Sequence, residues 1–256
     1  MASGEKAKIL GRRSVDDDRE NAYTGYTKER IFVWNRNGRR EQMKLYIVRH
    51  GETDWNKSRR VQGFSDIPLN DYGIYLVGET AKGLRDVAFD LAYTSPLIRA
   101  KKTAEVILGS RETPLIEDAA IKEMGFGVYE GMCISGEAKA RESAEFNKFF
   151  TDTAHFIPAR GGESVEGLLA RTGAFLQELC ASEENKEKTI LLSTHGAAMT
   201  ALVNHVKGNL ETADFWKEGV PPNCAVTLVE VENKKPEIVF ENRVYYKEAV
   251  RAWTVD

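Results

Sequence analysis

The chain has 256 residues, enough for one large domain or two small ones, and is 42% hydrophobic, 29% charged and 9% aromatic, the make-up of a soluble globular protein with a sizeable core. A formal net charge of -3 provides no global basic field for nucleic acid. No apolar run approaches the roughly 20 residues that span a bilayer, the N-terminus lacks a signal-peptide core, and the widely spaced Cys133, Cys180 and Cys224 form no metal-ligand pattern and read as reduced thiols of a cytoplasmic protein.

Residues 1–42 stand apart. They hold ten Lys/Arg against seven Asp/Glu, a net charge of +3 that leaves -6 for the remainder. An acidic run at Asp16-Asp17-Asp18, a basic pair at Arg39-Arg40 and a single dense apolar patch at 31–34 suggest a poorly ordered N-terminal extension that docks at most one short element. A single catalytic domain is expected over 43–256. Met43 is also a candidate for the true start of the chain, a hypothesis that peptides recovered from within residues 1–42 of native protein would refute.

From residue 44 the punctuation becomes regular. A β-branched run at 44–48 reads as a buried strand, followed by a loop through Pro68. Asn70 or Asp71 caps a helix over about 71–85. Residues 91–94 read as a second strand. Ser95-Pro96 reads as a helix start, with Ser as N-cap and Pro in the first helical position, and the helix runs to about Leu108 with Leu97, Ala100, Ala104 and Ile107 on one face. A short strand follows at 115–117. Residues 132–160 look helical but irregular and scatter Phe146, Phe149, Phe150 and Phe156. Ser164 caps a long helix carrying Val165, Leu168, Leu169, Phe175, Leu176 and Leu179. A buried strand at 188–193 precedes a helix at 197–207. Two strands, 225–231 and 237–240, close the chain around a turn at Asn233-Lys234-Lys235-Pro236. Alternating strands and helices predict a three-layer α/β/α sandwich. Its central sheet is mainly parallel with one antiparallel edge strand, because the last turn is too short for a crossover.

Ligands in such sheets bind where strands end and helices begin. The first strand ends in Arg49-His50-Gly51, the second runs into Ser95-Pro96-Leu97-Ile98-Arg99, and the fourth ends in Ser193-Thr194-His195-Gly196. One rim would then carry two arginines and two histidines. Like charges held close are costly unless an anion lies between them. A phosphoryl group resolves the conflict: guanidinium forks suit its oxygens, and neutral imidazole has a nucleophilic nitrogen.

The blocks that carry this pattern extend along the chain. Arg49-His50-Gly51-Glu52-Thr53 is followed by Trp55-Asn56, Arg60-Val61-Gln62-Gly63, Asp66-Ile67-Pro68-Leu69 and Gly73. Then come Ser95-Pro96-Leu97-Ile98-Arg99-Ala100 with Thr103-Ala104, and Glu123-Met124-Gly125-Phe126-Gly127 with Glu130-Gly131. Gly161-Gly162-Glu163-Ser164 and Ser193-Thr194-His195-Gly196 complete the series. In this order, over about residues 44–230, the chain resembles the histidine phosphatase superfamily, the phosphoglycerate-mutase-like group.

The resemblance implies that His50 is the nucleophile that becomes phosphohistidine. It implies that Arg49, Arg99 and His195 bind the phosphoryl oxygens, that Asn56 and Gly196 belong to the phosphate pocket, and that Gln62 and the Gly63 backbone line its mouth. Glu123 resembles the proton donor to the leaving oxygen and later the base for water, which calls for surroundings that keep it protonated in the first step. No metal or cofactor is implied. The expected partner is a small phosphorylated substrate; a homodimer stays open, and neither nucleic acid nor membrane is expected. Glu130, Glu163, His155 and His205 read as structural or solvated, Glu163 as a helix N-terminal charge.

Phosphatase, mutase and non-catalytic phosphate binder are the alternatives. The mutases similar to this chain carry a long insertion between the catalytic Glu and the last helix, with adjacent arginines for the substrate's second charged group. Here Glu123 and Glu163 are 40 positions apart, and Lys139, Arg141, Lys148 and Arg160 are dispersed among four phenylalanines, which read as core or, where one or two face the pocket, as the mark of an uncharged, partly apolar substrate body. A short lid admits water and favours hydrolysis. The complete set Arg49, His50, Arg99, Glu123 and His195 argues against a mere binder.

Overall fold

The computed structural model describes residues 23–27, 30–34 and 42–247. The chain divides into two compact units, Met1–Gln42 and Met43–Asp256. In the first, β1 (Tyr23–Thr27) and β2 (Arg30–Trp34) pair antiparallel, with Tyr23 opposite Trp34 and Thr27 opposite Arg30. The apolar patch at 31–34 therefore lies in a strand; the rest of the expected extension falls outside the described residues.

The second unit begins with β3 (Met43–Arg49), followed by a four-residue α1 (Asp54–Lys57), α2 (Asp71–Gly83), β4 (Leu91–Thr94), α3 (Ile98–Leu108) and β5 (Leu115–Glu117). Then come α4 (Ser143–Thr151), α5 (Val165–Ala181), β6 (Thr189–Thr194), α6 (Gly196–Lys207), β7 (Val226–Glu232) and β8 (Lys235–Arg243). The six-stranded sheet has the order β5-β4-β6-β3-β7-β8. Successive side chains of a strand face opposite ways. On β3, Leu45 and Ile47 join the core formed with Phe175, Leu176 and Leu179 of α5 and Met199 and Leu202 of α6. Val48 joins the opposite core, with Leu76 and Val77 of α2 and Ala104 and Ile107 of α3. Two apolar faces, each covered by helices, make the three-layer sandwich that the strand–helix alternation predicts.

The antiparallel edge is a pair of strands rather than one. β7 already opposes β3, and β8 opposes β7. The closing turn tightens to Asn233-Lys234, with φ of 52° and 64°, so β8 starts at Lys235 and Pro236 sits opposite Val231. Proline is tolerated there because β8 is an edge strand. No helix among the described residues is long and apolar enough to cross a membrane.

Two local expectations change. Helix α3 begins at Ile98, not Pro96, and its first free amide is capped from a distance: Ile98 N–H donates to Asp66 Oδ1 at 2.7 Å. Ser95 accepts from Leu97 N–H at 3.3 Å, while its hydroxyl lies 2.7 Å from His195 Nε2. The irregular stretch at 132–160 contracts to α4, whose Phe146 and Phe149 are core residues packed with Phe126, Leu168, Ala197 and Phe215.

The sheet order decides where the site lies. β4, β6 and β3 are adjacent and parallel, with Thr94 opposite Ser193 and Arg49 opposite Thr194. Their carboxyl ends therefore share one edge.

Candidate active site

His50 leaves β3 with its backbone held on both sides. Its N–H donates to Thr194 O at 2.9 Å, and its carbonyl accepts from Asn223 Nδ2 at 3.0 Å. The next residues dock on α2: a Cβ at Gly73 would lie 2.1 Å from Glu52 O, so only glycine permits this approach. The Asn70 side chain caps Gly73 N–H at 2.7 Å and donates to Glu52 Oε1 at 3.1 Å, tying loop to helix. His50 Nδ1 lies 2.6 Å from Gly51 O. A carbonyl can only accept, so Nδ1 carries the hydrogen and the lone pair is on Nε2. Arg99 Nε donates to that nitrogen at 3.3 Å.

Arg99 is fully buried, and its other two nitrogens donate to Ser65 O (2.8 Å) and Gly63 O (2.7 Å). Gly63 thus acts through its carbonyl, orienting Arg99, rather than as a liner of the mouth; a Cβ there would meet Met124 O at 2.4 Å. Thr103 locks α3 to the nucleophile loop by accepting from Gly51 N–H at 3.1 Å and donating to Arg99 O at 2.8 Å.

Arg49 donates from one terminal nitrogen to Pro221 O, and its Nε is buried with no acceptor. Gln62 Nε2 is likewise buried without an acceptor, while its Oε1 lies 2.6 Å from the Thr53 hydroxyl. His195 stacks edge-on to His50, ring centroids 5.1 Å apart. His195 Nε2 lies 2.7 Å from Ser95 Oγ, a contact that either group can donate, and its Nδ1 is buried and unpartnered. Two N–H donors, Arg49 Nε and Gln62 Nε2, and the His195 ring nitrogen Nδ1 thus lack partners beside His50, against the general rule that buried polar groups are paired. Asn56 lines the same pocket as Arg49, His50 and Gln62, and its Oδ1 is taken by Thr53 N–H at 3.2 Å, which leaves the amide NH2 as its available end. A Cβ at Gly196 would stand 3.5 Å from Arg49 Nε and 3.6 Å from Glu123 Oε2, so this glycine marks the space between them.

Glu123 reaches the N-terminus of α6. Oε1 accepts from Met124 N–H (2.9 Å) and Ala198 N–H (3.2 Å), and Oε2 from Ala197 N–H (3.2 Å). Glu123 thus accepts from three amides, with Oε2 the less occupied oxygen. Among the described residues no cluster of three or more His, Cys, Asp or Glu is placed to hold a metal ion.

Burial lowers the pKa of His50 well below 6.5, and Arg99 and Arg49 push it the same way. His195 is lowered likewise, by burial first and then by Arg99, His50 and Arg49. Burial also lowers Arg99 to about 10, which leaves it charged at neutral pH. The unfolded chain takes up a proton on each imidazole below about pH 6.5 while the folded chain does not. Stability therefore falls as pH drops from about 6.5 toward the folded values, by about 1.4 kcal/mol per pH unit for each group at the limiting slope. Urea midpoints between pH 7 and 5 should show a shallower decline in His50→Asn and His195→Asn than in the parent chain; equal slopes overturn this account.

A family model described as histidine phosphatase superfamily (branch 1) matches residues 45–243. The chain belongs to the histidine phosphatase superfamily. Within it, the chain is 36% identical over 162 residues to the uncharacterized phosphatase PhoE of Bacillus subtilis, covering 63% of this chain and 76% of that one. It is 32% identical over 165 residues to a 2,3-bisphosphoglycerate-dependent phosphoglycerate mutase of Nitrobacter hamburgensis, covering 62% and 78%. The solved structure of Bacillus stearothermophilus YhfR superposes with a TM-score of 0.68 at 28% identity, over 78% of this chain and 97% of that one. Phosphatases and mutases are thus both among its relatives.

Against that superfamily frame, several contributors escape sequence reasoning. Glu163, just before the α5 N-cap, pairs with Arg171 at 2.6 Å, and Arg171 donates to the carbonyls of Ala120, Lys122 and Glu123, fixing the Glu123 segment. Glu130 gathers the amides of Phe64 and Ser65 at 2.7 and 2.6 Å and so braces the loop whose carbonyls hold Arg99. Ser95, Pro221 and Asn223 carry no signal in a single sequence. His155 is exposed beside Asp152, and His205 Nε2 donates to Leu169 O at 2.7 Å; both are structural, as expected.

Proposed function

We propose that this chain is a metal-independent phosphomonoester hydrolase that works through phosphohistidine. The observation that carries the reading is the pair of unpartnered donors, Arg49 Nε and Gln62 Nε2, with the unpartnered His195 Nδ1, beside a neutral imidazole whose lone pair is on Nε2. Phosphoryl oxygens are acceptors, and donors fixed in advance stabilise transition-state charge without reorganising. His50 Nε2 attacks phosphorus as the P–O bond to the leaving group breaks. The leaving oxygen takes a proton from Glu123, through Oε2, the less committed oxygen. The Gly51 carbonyl supports the positive charge that the phosphorylated ring acquires. Glu123 then removes a proton from water, which attacks phosphorus; the P–N bond breaks, and inorganic phosphate leaves with the lone pair restored to Nε2. A covalent intermediate of this kind divides one high barrier into two lower ones.

Transfer to water rather than to a second substrate is supported by the span between Glu123 and Glu163. Of its basic residues, Lys139, Arg141, Lys148 and Arg160, none lines the pocket that contains His50.

Glu123→Gln tests the acid role. Hydrolysis of an alkyl phosphate, which needs its leaving oxygen protonated, should slow by about 10²–10³-fold, and hydrolysis of p-nitrophenyl phosphate much less. Equal losses on both esters would remove Glu123 from that role.

A further inference from the structure

Past Glu123 the pocket meets aromatic side chains, among them Phe126, Phe149, Phe150 and Trp216. Phe149 and Trp216 pack edge to face with centroids 5.3 Å apart, and Phe126 and Phe149 do so at the same distance. Interlocked rings make a firm wall. Phe149 is core, whereas Phe150 and Trp216 are half-buried and form its accessible part. Glu123 stands at the leaving oxygen, so the body bonded to that oxygen extends along this wall. The charged residues lining the pocket are Arg49 and Glu123, both engaged with the phosphoryl group, and Arg60, which is exposed and donates to Gly131 O at 2.7 Å. Apart from the exposed Arg60, whose charge water screens, the pocket offers a carboxylate or second phosphate on the wall no charged partner for the water it loses, while an apolar body gains from the same placement. The one unmatched polar group of the wall is the Trp216 indole N–H. A single neutral N–H suits a neutral oxygen and is insufficient for an anion.

We propose that the site selects monophosphates of uncharged alcohols or phenols with an apolar, ring-sized body, with or without a neutral oxygen, over phosphorylated acids, and that Phe150 and Trp216 make the selection. The proposal rests on the phosphomonoesterase reading above.

The test compares kcat/KM of the full chain on three primary alkyl phosphates of similar leaving-group reactivity: 2-phenylethyl phosphate, ethyl phosphate and phosphoserine. The expected order places 2-phenylethyl phosphate at least about 100-fold above phosphoserine. Phe150→Ala should lower kcat/KM for 2-phenylethyl phosphate by about 10-fold and leave ethyl phosphate within about 2-fold, with inhibition by inorganic phosphate unchanged as the sign of an intact site. Phe150→Arg should raise activity on phosphoserine, a gain that misfolding cannot produce. Preference of the parent chain for phosphoserine, or equal losses on both uncharged esters in Phe150→Ala, overturns the selectivity. Failure of the parent chain to hydrolyse any of the three overturns the underlying phosphatase reading instead.

Discussion

His50→Ala is expected to reduce hydrolysis of p-nitrophenyl phosphate by at least about 10⁴-fold and to abolish acid-labile labelling of the protein by phosphate from that ester. Three features define the lone pair on Nε2: the hydrogen bond from Nδ1 to Gly51 O places it there, burial keeps the ring neutral, and the Arg99 Nε contact at 3.3 Å orients it. Alanine keeps the main-chain bonds to Thr194 and Asn223, so the loop and the remaining donors should persist. The variant should therefore still bind inorganic phosphate while failing to turn over. Turnover near that of the parent chain would end the phosphohistidine mechanism. The parent chain should also retain full activity in excess chelator; a strict requirement for added metal would refute the mechanism as drawn.

Arg99→Met is expected to cost both stability and rate. The guanidinium is fully buried and satisfies Gly63 O and Ser65 O, and methionine leaves both carbonyls without a donor. The loss should be about 3–5 kcal/mol, because an apolar side chain of similar volume fills the space but not the hydrogen bonds. kcat/KM should fall by about 10²–10³-fold, as for removal of one preorganised transition-state donor. Arg99→Lys restores the charge but not the planar fork, so it should recover part of the stability and little of the rate. Urea midpoints and kcat/KM on p-nitrophenyl phosphate measure both quantities. Parental kcat/KM in the Met variant would show that Arg99 serves the fold alone.

The regular elements were legible because their signals are local. The β-branched run before Arg49, the alternation across the sheet, the Asn70 cap and the Ser164 cap each place an element within a few residues of its observed bounds. The errors fall where a distant group wins. Ser95 reads as an N-cap until His195, one hundred positions away, competes for its hydroxyl, and Asp66 then supplies the cap from another loop. Gly63 reads as a liner of the mouth until its carbonyl is found on Arg99, and Glu163 as a helix-terminal charge until Arg171 takes it. The four phenylalanines, by contrast, divide as read between core and pocket: Phe146 and Phe149 are core, and Phe149 and Phe150 line the pocket.

By itself the sequence determined the residue set and the order of the strands and helices: two Gly-flanked histidines, two arginines and one glutamate at the ends or turns of periodic segments. It also bounded the transferred group, because only an anion accounts for cations gathered at one rim. The tertiary structure decided what each atom is free to do. Placing β4, β6 and β3 side by side brought the strand ends together; the Gly51 carbonyl then chose the tautomer of His50, the Ser95 hydroxyl met the His195 ring, and the amides of α6 claimed the Glu123 oxygens. Those choices depend on hydrogen-bond partners tens of residues away or on backbone direction, neither of which is written in residue type or spacing. For that reason a phosphoryl-transferring site could be proposed from the chain, while the tautomer of His50 and the partners of the Glu123 oxygens emerged only from the fold.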